Sequence, residues 1–114
     1  MRILLIEDEI LVAESLMKQV RQVEPSAELI GPLPTVKASL KWLAENPQPD
    51  LILSDIQLAD GISLDIFSEY KLTCPVIFTT AYNEYAIRAF KVNSIDYLLK
   101  PIDKNELVAA FQKF

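Results

Sequence analysis

The chain has 114 residues, of which 51% are hydrophobic and 24% charged, a composition typical of one folded globular domain. Its net charge of −5 argues against direct binding to nucleic acid, which requires a basic face, and suits a cation site. The chain has no histidine, which excludes histidine-based metal or triad chemistry, and its single cysteine excludes an internal disulfide. Cys74 precedes Pro75 and an apolar run, which predicts a buried, inert thiol.

The first apolar run, Ile3 to Ile6, is too short for a signal peptide, and Glu7 and Asp8 interrupt it. No apolar run approaches the length of a transmembrane helix. We therefore expect a single cytoplasmic domain that covers residues 1–114.

The amino-terminal elements are a strand and a helix. A continuous apolar run such as Ile3 to Ile6 predicts a strand that is buried on both faces. Val12, Leu16 and Val20 then recur at helical spacing, and Pro25 is expected to close this helix.

A second strand and a second helix are predicted next. The strand covers Glu28 to Ile30, and Gly31-Pro32 is expected to end it. Thr35 is a candidate cap for the helix that follows, and Asn46-Pro47 should stop that helix.

The third strand, Leu51 to Leu53, leads into Asp55, and an amphipathic helix is predicted near Ser63 to Tyr70. The fourth strand, Val76 to Phe78, ends at Thr79-Thr80.

Asn83 is a candidate cap for the next helix, and Ile95 to Leu99 forms the fifth strand before Lys100-Pro101. Asp103 can cap a last helix. Five alternations of strand and helix predict an α/β fold with a doubly wound parallel sheet and helices on both of its faces.

Polar residues stand at the ends of four of the five predicted strands: Glu7-Asp8, Asp55, Thr80 and Lys100. Ligands of open parallel sheets bind outside the carboxyl ends of the strands, so we expect these side chains to lie together. Each residue alone would suit a solvated strand end or a helix cap. Together, three carboxylates, a hydroxyl and an ammonium indicate an all-oxygen Mg²⁺ site beside a phosphoryl group.

This combination of groups favours phosphoryl transfer. A carboxylate can attack phosphorus to form an acyl phosphate, and a metal ion neutralises charge on the transferring group. Lys100 could hold one phosphoryl oxygen, and the Thr80 hydroxyl could donate a hydrogen bond to another. The central third strand favours Asp55 as the acceptor.

The sequence resembles response regulator receiver domains of two-component systems over essentially its whole length. The resemblance rests on four motifs in order: residues 4–9 (LLIEDE), 50–56 (DLILSDI), 79–81 (TTA) and 96–101 (DYLLKP). It implies a flavodoxin-like five-stranded sheet in the order 2-1-3-4-5. It also implies that the domain is a signalling switch, which catalyses only its own phosphorylation and dephosphorylation, rather than an enzyme.

The resemblance assigns the site residues. Asp55 would accept the phosphoryl group from a histidine kinase. Asp8, Asp55 and the backbone carbonyl of Gln57 would bind Mg²⁺ directly, while Glu7 would assist through water. Lys100 would pair with the phosphoryl group, and the Lys100-Pro101 bond is expected to be cis.

Thr80 and Tyr97 would form the switch. When phosphorylation draws Thr80 inward, the Tyr97 ring could turn into the space, although a half-buried strand aromatic is the plainer interpretation of Tyr97. The movement would bias the surface of the fourth helix, fifth strand and fifth helix, which an output domain would read.

The chain departs from the common receiver pattern in two places. Ala59 stands where many receivers have proline, and Ile62-Ser63 stands where many have Asp-Gly, while Asp60-Gly61 lies just before. The loop over the site is therefore expected to take a different course. Tyr82 and Gln57 occupy the positions that flank the phosphoryl group, which suggests an altered phosphoryl lifetime.

Residues 81–101 most resemble receivers attached to LytTR-type DNA-binding domains. We expect the chain to belong to a longer transcription regulator, a free-standing receiver being the alternative. Pairing of phosphorylated copies is a further hypothesis, based on charged residues where many receivers dimerise: Arg88, Lys91, Asp96, Asp103, Lys104 and Glu106.

Two other functions are open from the sequence. A phosphohydrolase of the haloacid dehalogenase group would also form an aspartyl phosphate, but it carries a second acid where this chain has Gln57. An interaction module that signals without phosphorylation would keep the fold, but such domains typically lose the acid pair, the acceptor or the lysine, all of which are present here.

Overall fold

The computed structural model describes residues 1–69, 73–81 and 94–113 of the chain. In these ranges, the elements follow the predicted order, with one additional short hairpin after the third strand, and the predicted helix between the fourth and fifth strands lies outside the described residues. The elements are β1 (Arg2–Ile6), α1 (Ile10–Val23), β2 (Glu28–Leu33), α2 (Val36–Glu45), β3 (Leu51–Asp55), β4 (Gln57–Leu58), β5 (Gly61–Ile62), α3 (Leu64–Glu69), β6 (Val76–Thr80), β7 (Ser94–Leu99) and α4 (Lys104–Gln112).

Five strands of the described residues form one parallel sheet in the order β2-β1-β3-β6-β7. The predicted order 2-1-3-4-5 is confirmed, because β4 and β5 form a separate antiparallel pair. β3 is central, and its Leu53 pairs with Leu5 of β1 and Ile77 of β6. Parallel pairing brings the carboxyl ends of β1, β3, β6 and β7 to the same edge of the sheet.

The central strands are buried on both faces, which explains their continuously apolar sequences. Leu4 and Ile52 belong to the core cluster that includes residues of α2 and α3. Leu5 and Leu53 belong to the opposite cluster, with residues of α1 and α4. Burial of each such side chain contributes about 1.5–3 kcal/mol, so the two clusters stabilise the sheet from both of its faces.

The described helix ends mostly follow the predicted signals. The Thr35 hydroxyl accepts a hydrogen bond from the backbone N–H of Ala38 at 2.9 Å, and the Asp103 carboxylate accepts one from Asn105 at 2.7 Å. The first helix ends two residues before Pro25. The predicted cap at Asn83 lies outside the described residues. None of the described helices is long and apolar enough to cross a membrane.

The predicted end of the second strand at Gly31 is wrong, because β2 continues to Leu33. β2 is an edge strand, where the missing N–H of Pro32 is tolerated. Gly31 has φ +108°, and a Cβ there would lie 2.5 Å from the carbonyl oxygen of Leu5. A residue that usually interrupts a strand is therefore required here by the close approach of β1.

Cys74 is buried, as predicted. Burial raises the pKa of its thiol, which keeps the thiol protonated and weakly nucleophilic at neutral pH. This environment fits a packing role.

Candidate functional site

Three acidic side chains from two strand ends meet at the carboxyl edge of the sheet. Glu7 and Asp8 follow β1, and Asp55 is the last residue of β3. One carboxylate oxygen from each residue lies within 4.8 Å of the other two. The strand-end cluster predicted from the sequence is therefore present in the structure.

Lys100, which follows β7, reaches into this acidic cluster. Its Nζ lies 2.7 Å from Oε1 of Glu7 and 3.0 Å from Oδ2 of Asp55. The Glu7 and Asp55 side chains are almost fully buried, and the Lys100 side chain is 17% exposed. The backbone N–H of Lys100 also donates to the carbonyl of Thr80 at 2.7 Å, so β6 helps to place it.

Burial and neighbouring charges shift the pKa values of two groups in the cluster. Burial first, and then the nearby charge of Asp55, raise the pKa of Glu7 to about 7 against the opposing hydrogen bond from Lys100. Burial disfavours the charged form of Lys100, but hydrogen bonds and charges from Glu7 and Asp55 outweigh it and raise the Lys100 pKa. Lys100 is therefore a permanent positive charge, whereas Glu7 titrates near neutral pH.

A mainly polar cavity of about 380 Å³ opens over the cluster. It is lined by Asp8, Glu9, Asp55, Gln57, Leu58, Ala81 and Lys100. A larger, mainly apolar cavity of about 570 Å³ is also lined by Lys100 and lies beside α1, but Asp55 does not line it. The smaller cavity therefore offers the access to Asp55 that a phosphoryl donor would need.

The donor atoms around this cavity suit a hard divalent cation. Glu7, Asp8 and Asp55 offer carboxylate oxygens close enough together to share one ion. Mg²⁺ is bound in proteins by one or two carboxylates and keeps several waters, for which the cavity has room. The predicted residues therefore fit an Mg²⁺ site.

The loop over the site is the short β4–β5 hairpin, residues 57–62, which pairs Gln57 with Ile62 and Leu58 with Gly61. Just beyond it, the Ser63 hydroxyl donates to the backbone carbonyl of Asp55 at 2.6 Å. The Asp60 carboxylate accepts hydrogen bonds from the first backbone N–H groups of α2. The sequence indicated neither contact, because Ser63 was noted only as a departure from the receiver pattern and Asp60 only as lying just before it.

The two predicted switch residues lie in different surroundings. Thr80 is buried at the end of β6 and is joined through its backbone to Lys100. Tyr97 is half-buried, pairs through its backbone with Phe78, and packs against the core cluster that includes Leu4 and Ile52. Their roles in switching stay predictions.

Some predicted features lie outside the described residues: Tyr82, Arg88 and Lys91. Of the other charged residues proposed for dimerisation, Asp96 accepts a hydrogen bond from Lys113 at 3.1 Å, and Asp103 caps α4. The remaining two, Lys104 and Glu106, are exposed. The predicted cis bond between Lys100 and Pro101 is present.

A family comparison agrees with this geometry. The sequence profile of the response regulator receiver domain matches residues 3–112. The chain belongs to this family. The receiver resemblance inferred from the four motifs is thereby confirmed.

Two curated relatives show which receiver-containing proteins this chain resembles. The sensory transduction protein LytT of Bacillus anthracis is 33% identical over all of this chain and 47% of its own length. The positive alginate biosynthesis regulatory protein of Pseudomonas aeruginosa is 31% identical over 99% of this chain and 46% of its own length. The predicted likeness to LytT-type regulators is confirmed, and the chain spans about half the length of these curated relatives.

Solved structures show the same fold. The response regulatory domain of protein mrkE from Klebsiella pneumoniae has a TM-score of 0.88 and 27% identity to this chain. The match covers 99% of this chain and 93% of that domain. The similarity therefore extends over the whole receiver fold rather than over the sheet alone.

Proposed function

We propose that this receiver domain is a phosphorylation switch in which Asp55 accepts a phosphoryl group from a histidine kinase. The observation that carries the proposal is the position of Lys100 Nζ, 3.0 Å from Oδ2 of Asp55 at the edge of an open polar cavity. A carboxylate beside a fixed positive charge and further oxygen ligands is equipped for phosphoryl transfer.

In the proposed reaction, an oxygen of Asp55 forms a bond to phosphorus while the bond between phosphorus and the donor breaks. The electron pair of the broken bond leaves with the donor, which is a histidine nitrogen when the donor is the kinase. Lys100 keeps its proton because of its raised pKa, so it can turn its positive charge toward a phosphoryl oxygen. The buried Thr80 hydroxyl is the candidate donor to another oxygen.

Asp8, Asp55 and the backbone carbonyl of Gln57 would hold Mg²⁺, with Glu7 assisting. A bound Mg²⁺ would neutralise charge on the transferring phosphoryl group. Glu7 and Lys100 already form a buried pair beside Asp55, so the chain itself limits repulsion among the acids.

Thr80 and Tyr97 would couple phosphorylation of Asp55 to a change at the surface of the domain. A shift of Thr80 toward the phosphoryl group would change the packing next to Tyr97, which lies two positions before Leu99, the β7 partner of Thr80. The output would be another domain of the full-length protein, of the LytTR DNA-binding type, as the match to about half the length of the LytT relative supports. This function requires a cytoplasmic location, where a kinase has access to ATP, and involves no turnover of an external substrate.

Intact mass spectrometry tests the proposal after incubation with acetyl phosphate and Mg²⁺. We expect the wild-type chain to gain one phosphoryl group and the Asp55→Asn variant to gain none. Omitting Mg²⁺ should also suppress the gain. If a known receiver is modified under the same conditions and this chain is not, either the site requires its own kinase or the domain signals without phosphorylation, and the interaction-module alternative then becomes the leading one.

A further inference from the structure

The β4–β5 hairpin, residues 57–62, carries one side of the proposed cation site. Gln57 lines the same cavity as Asp8 and Asp55. A hairpin with two residue pairs is too small to be stable by itself, so contacts with the rest of the domain must fix its position. The position of the Gln57 backbone therefore depends on the residues that anchor the hairpin.

One anchor lies just beyond the base of the hairpin. The hydroxyl of the fully buried Ser63 donates to the carbonyl of Asp55 at 2.6 Å, and its backbone N–H donates to the carbonyl of Ile56 at 2.8 Å. These bonds join the two ends of the loop directly behind the phosphoacceptor.

The other anchor is at the tip of the hairpin. Oδ1 of Asp60 accepts from the N–H of Val36 at 2.6 Å, and Oδ2 accepts from the N–H of Lys37 at 3.1 Å. Thr35 satisfies the next N–H, that of Ala38, so two side chains together cap the start of α2. A carboxylate is favourable there because the helix dipole is positive at its amino terminus.

Asp60 connects the hairpin tip to the start of α2, two segments that are far apart in the sequence. It is 24 residues from Val36, whereas Thr35 caps α2 from the adjoining position. A Cβ on Gly61 would lie 3.5 Å from Cγ2 of Val36, which places the hairpin tip directly against the helix start. Loss of Asp60 would weaken both the cap and the hairpin's attachment, whereas loss of Thr35 would weaken the cap alone.

We propose that Asp60 and Ser63 are positioning residues, which pin the two ends of the hairpin so that the Gln57 backbone carbonyl stays at the cation site. The inference rests on the proposed function, because it assumes that Gln57 helps to hold Mg²⁺. It assigns a role to Ser63, at which this loop departs from the common receiver pattern, and to Asp60, which lies just before that departure. Neither side chain touches the cation in this proposal.

The test measures the Mg²⁺ dissociation constant of the unphosphorylated domain by isothermal titration calorimetry, at a temperature where melting curves show every variant folded. We expect Asp60→Ala to raise the constant roughly tenfold, the lower end of the usual cost of losing an outer-shell partner. Thr35→Ala, which loses a cap on the same helix, should change it by less than about twofold.

A second comparison separates the hydrogen bonds from the charge. Asp60→Asn and Asp60→Ala both lose the negative charge, but asparagine keeps one carbonyl oxygen that can accept from Val36. We expect the asparagine variant to bind Mg²⁺ more tightly than the alanine variant. Equal constants for these two variants, or a Thr35→Ala constant as weak as that of Asp60→Ala, would overturn the positioning role.

Failure of the proposed function has a different signature. If the wild-type domain binds no Mg²⁺, both the proposed function and this positioning role are contradicted. If the wild type binds Mg²⁺ and is phosphorylated, while the Asp60 variants behave like Thr35→Ala, only the positioning role is contradicted.

Discussion

The two walls of the candidate site are held in place by different means. The strand-end wall, which comprises Glu7, Asp8, Asp55 and Lys100, is fixed by neighbouring parallel strands with buried side chains on both faces. The hairpin wall, residues 57–62, is a two-pair structure that depends on Asp60 and on the adjacent Ser63. The proposed acceptor and lysine therefore lie on the wall that the sheet fixes, whereas the Gln57 carbonyl lies on a wall whose position depends on two side chains.

The largest expected effect comes from removing the positive charge of the strand-end wall. Lys100→Met should slow phosphorylation by acetyl phosphate by about 10²–10³-fold, the usual cost of losing one group that stabilises developing charge. The rate is measured by quenched intact mass spectrometry at saturating Mg²⁺. Lys104→Met, which removes an exposed lysine from α4, is the control and should keep the wild-type rate. A Lys100→Met rate within about threefold of wild type would show that Lys100 does not act on the phosphoryl group.

A smaller effect is expected from Glu7, whose pKa of about 7 reflects burial on the same wall. The folded state keeps the Glu7 proton between pH 4.5 and about 7, where the unfolded state has lost it. This contribution to stability is therefore present below pH 4.5 and is lost as the pH rises through about 7. Glu7→Gln cannot titrate, and its amide oxygen can still accept from Lys100.

In chelated buffer, the free energy of unfolding of Glu7→Gln relative to wild type should increase from pH 4.5 to 8 by on the order of 3 kcal/mol. Urea titrations of both proteins at several pH values measure the difference. Parallel pH profiles would mean that Glu7 ionises as freely in the folded domain as in the unfolded chain.

The smallest effect compares two hydroxyls that serve the same acceptor. Ser54 and Ser63 both donate to the backbone carbonyl of Asp55, at 2.9 and 2.6 Å, but only Ser63 adjoins the hairpin wall. Ser54→Ala and Ser63→Ala should each lower stability by about 1 kcal/mol. Only Ser63→Ala should also weaken Mg²⁺ binding, so equal Mg²⁺ affinities for the two variants would remove the distinction between the walls.

The strand-end wall was largely predictable from the sequence. Five apolar runs indicated a parallel sheet, and its topology requires the residues after those runs to meet, as Glu7, Asp55 and Lys100 do. The hairpin wall was not predictable, because its anchors are bonds from side chains to distant backbone groups. No periodicity connects Asp60 with the start of α2, and the sequence analysis gave Asp60 no structural role.

The wrong prediction of where β2 ends also arises because a contact between distant parts of the chain overrides a local signal. Gly31-Pro32 indicates the end of a strand in local terms, yet the close approach of Leu5 and the edge position allow β2 to continue through it. Local signals predicted the helix caps at Thr35 and Asp103 correctly, because those contacts span only two or three residues.

The most direct test of the central claim locates the phosphoryl group. The domain is incubated with acetyl phosphate and Mg²⁺, then treated with borohydride, which reduces an aspartyl phosphate to homoserine, and is mapped by peptide mass spectrometry. We predict that the reduced residue is found at position 55 alone, and that the signal disappears when Mg²⁺ is omitted. Reduction at Asp8 or at another carboxylate, with Asp55 unmodified, would contradict the assignment of Asp55 as the phosphoacceptor.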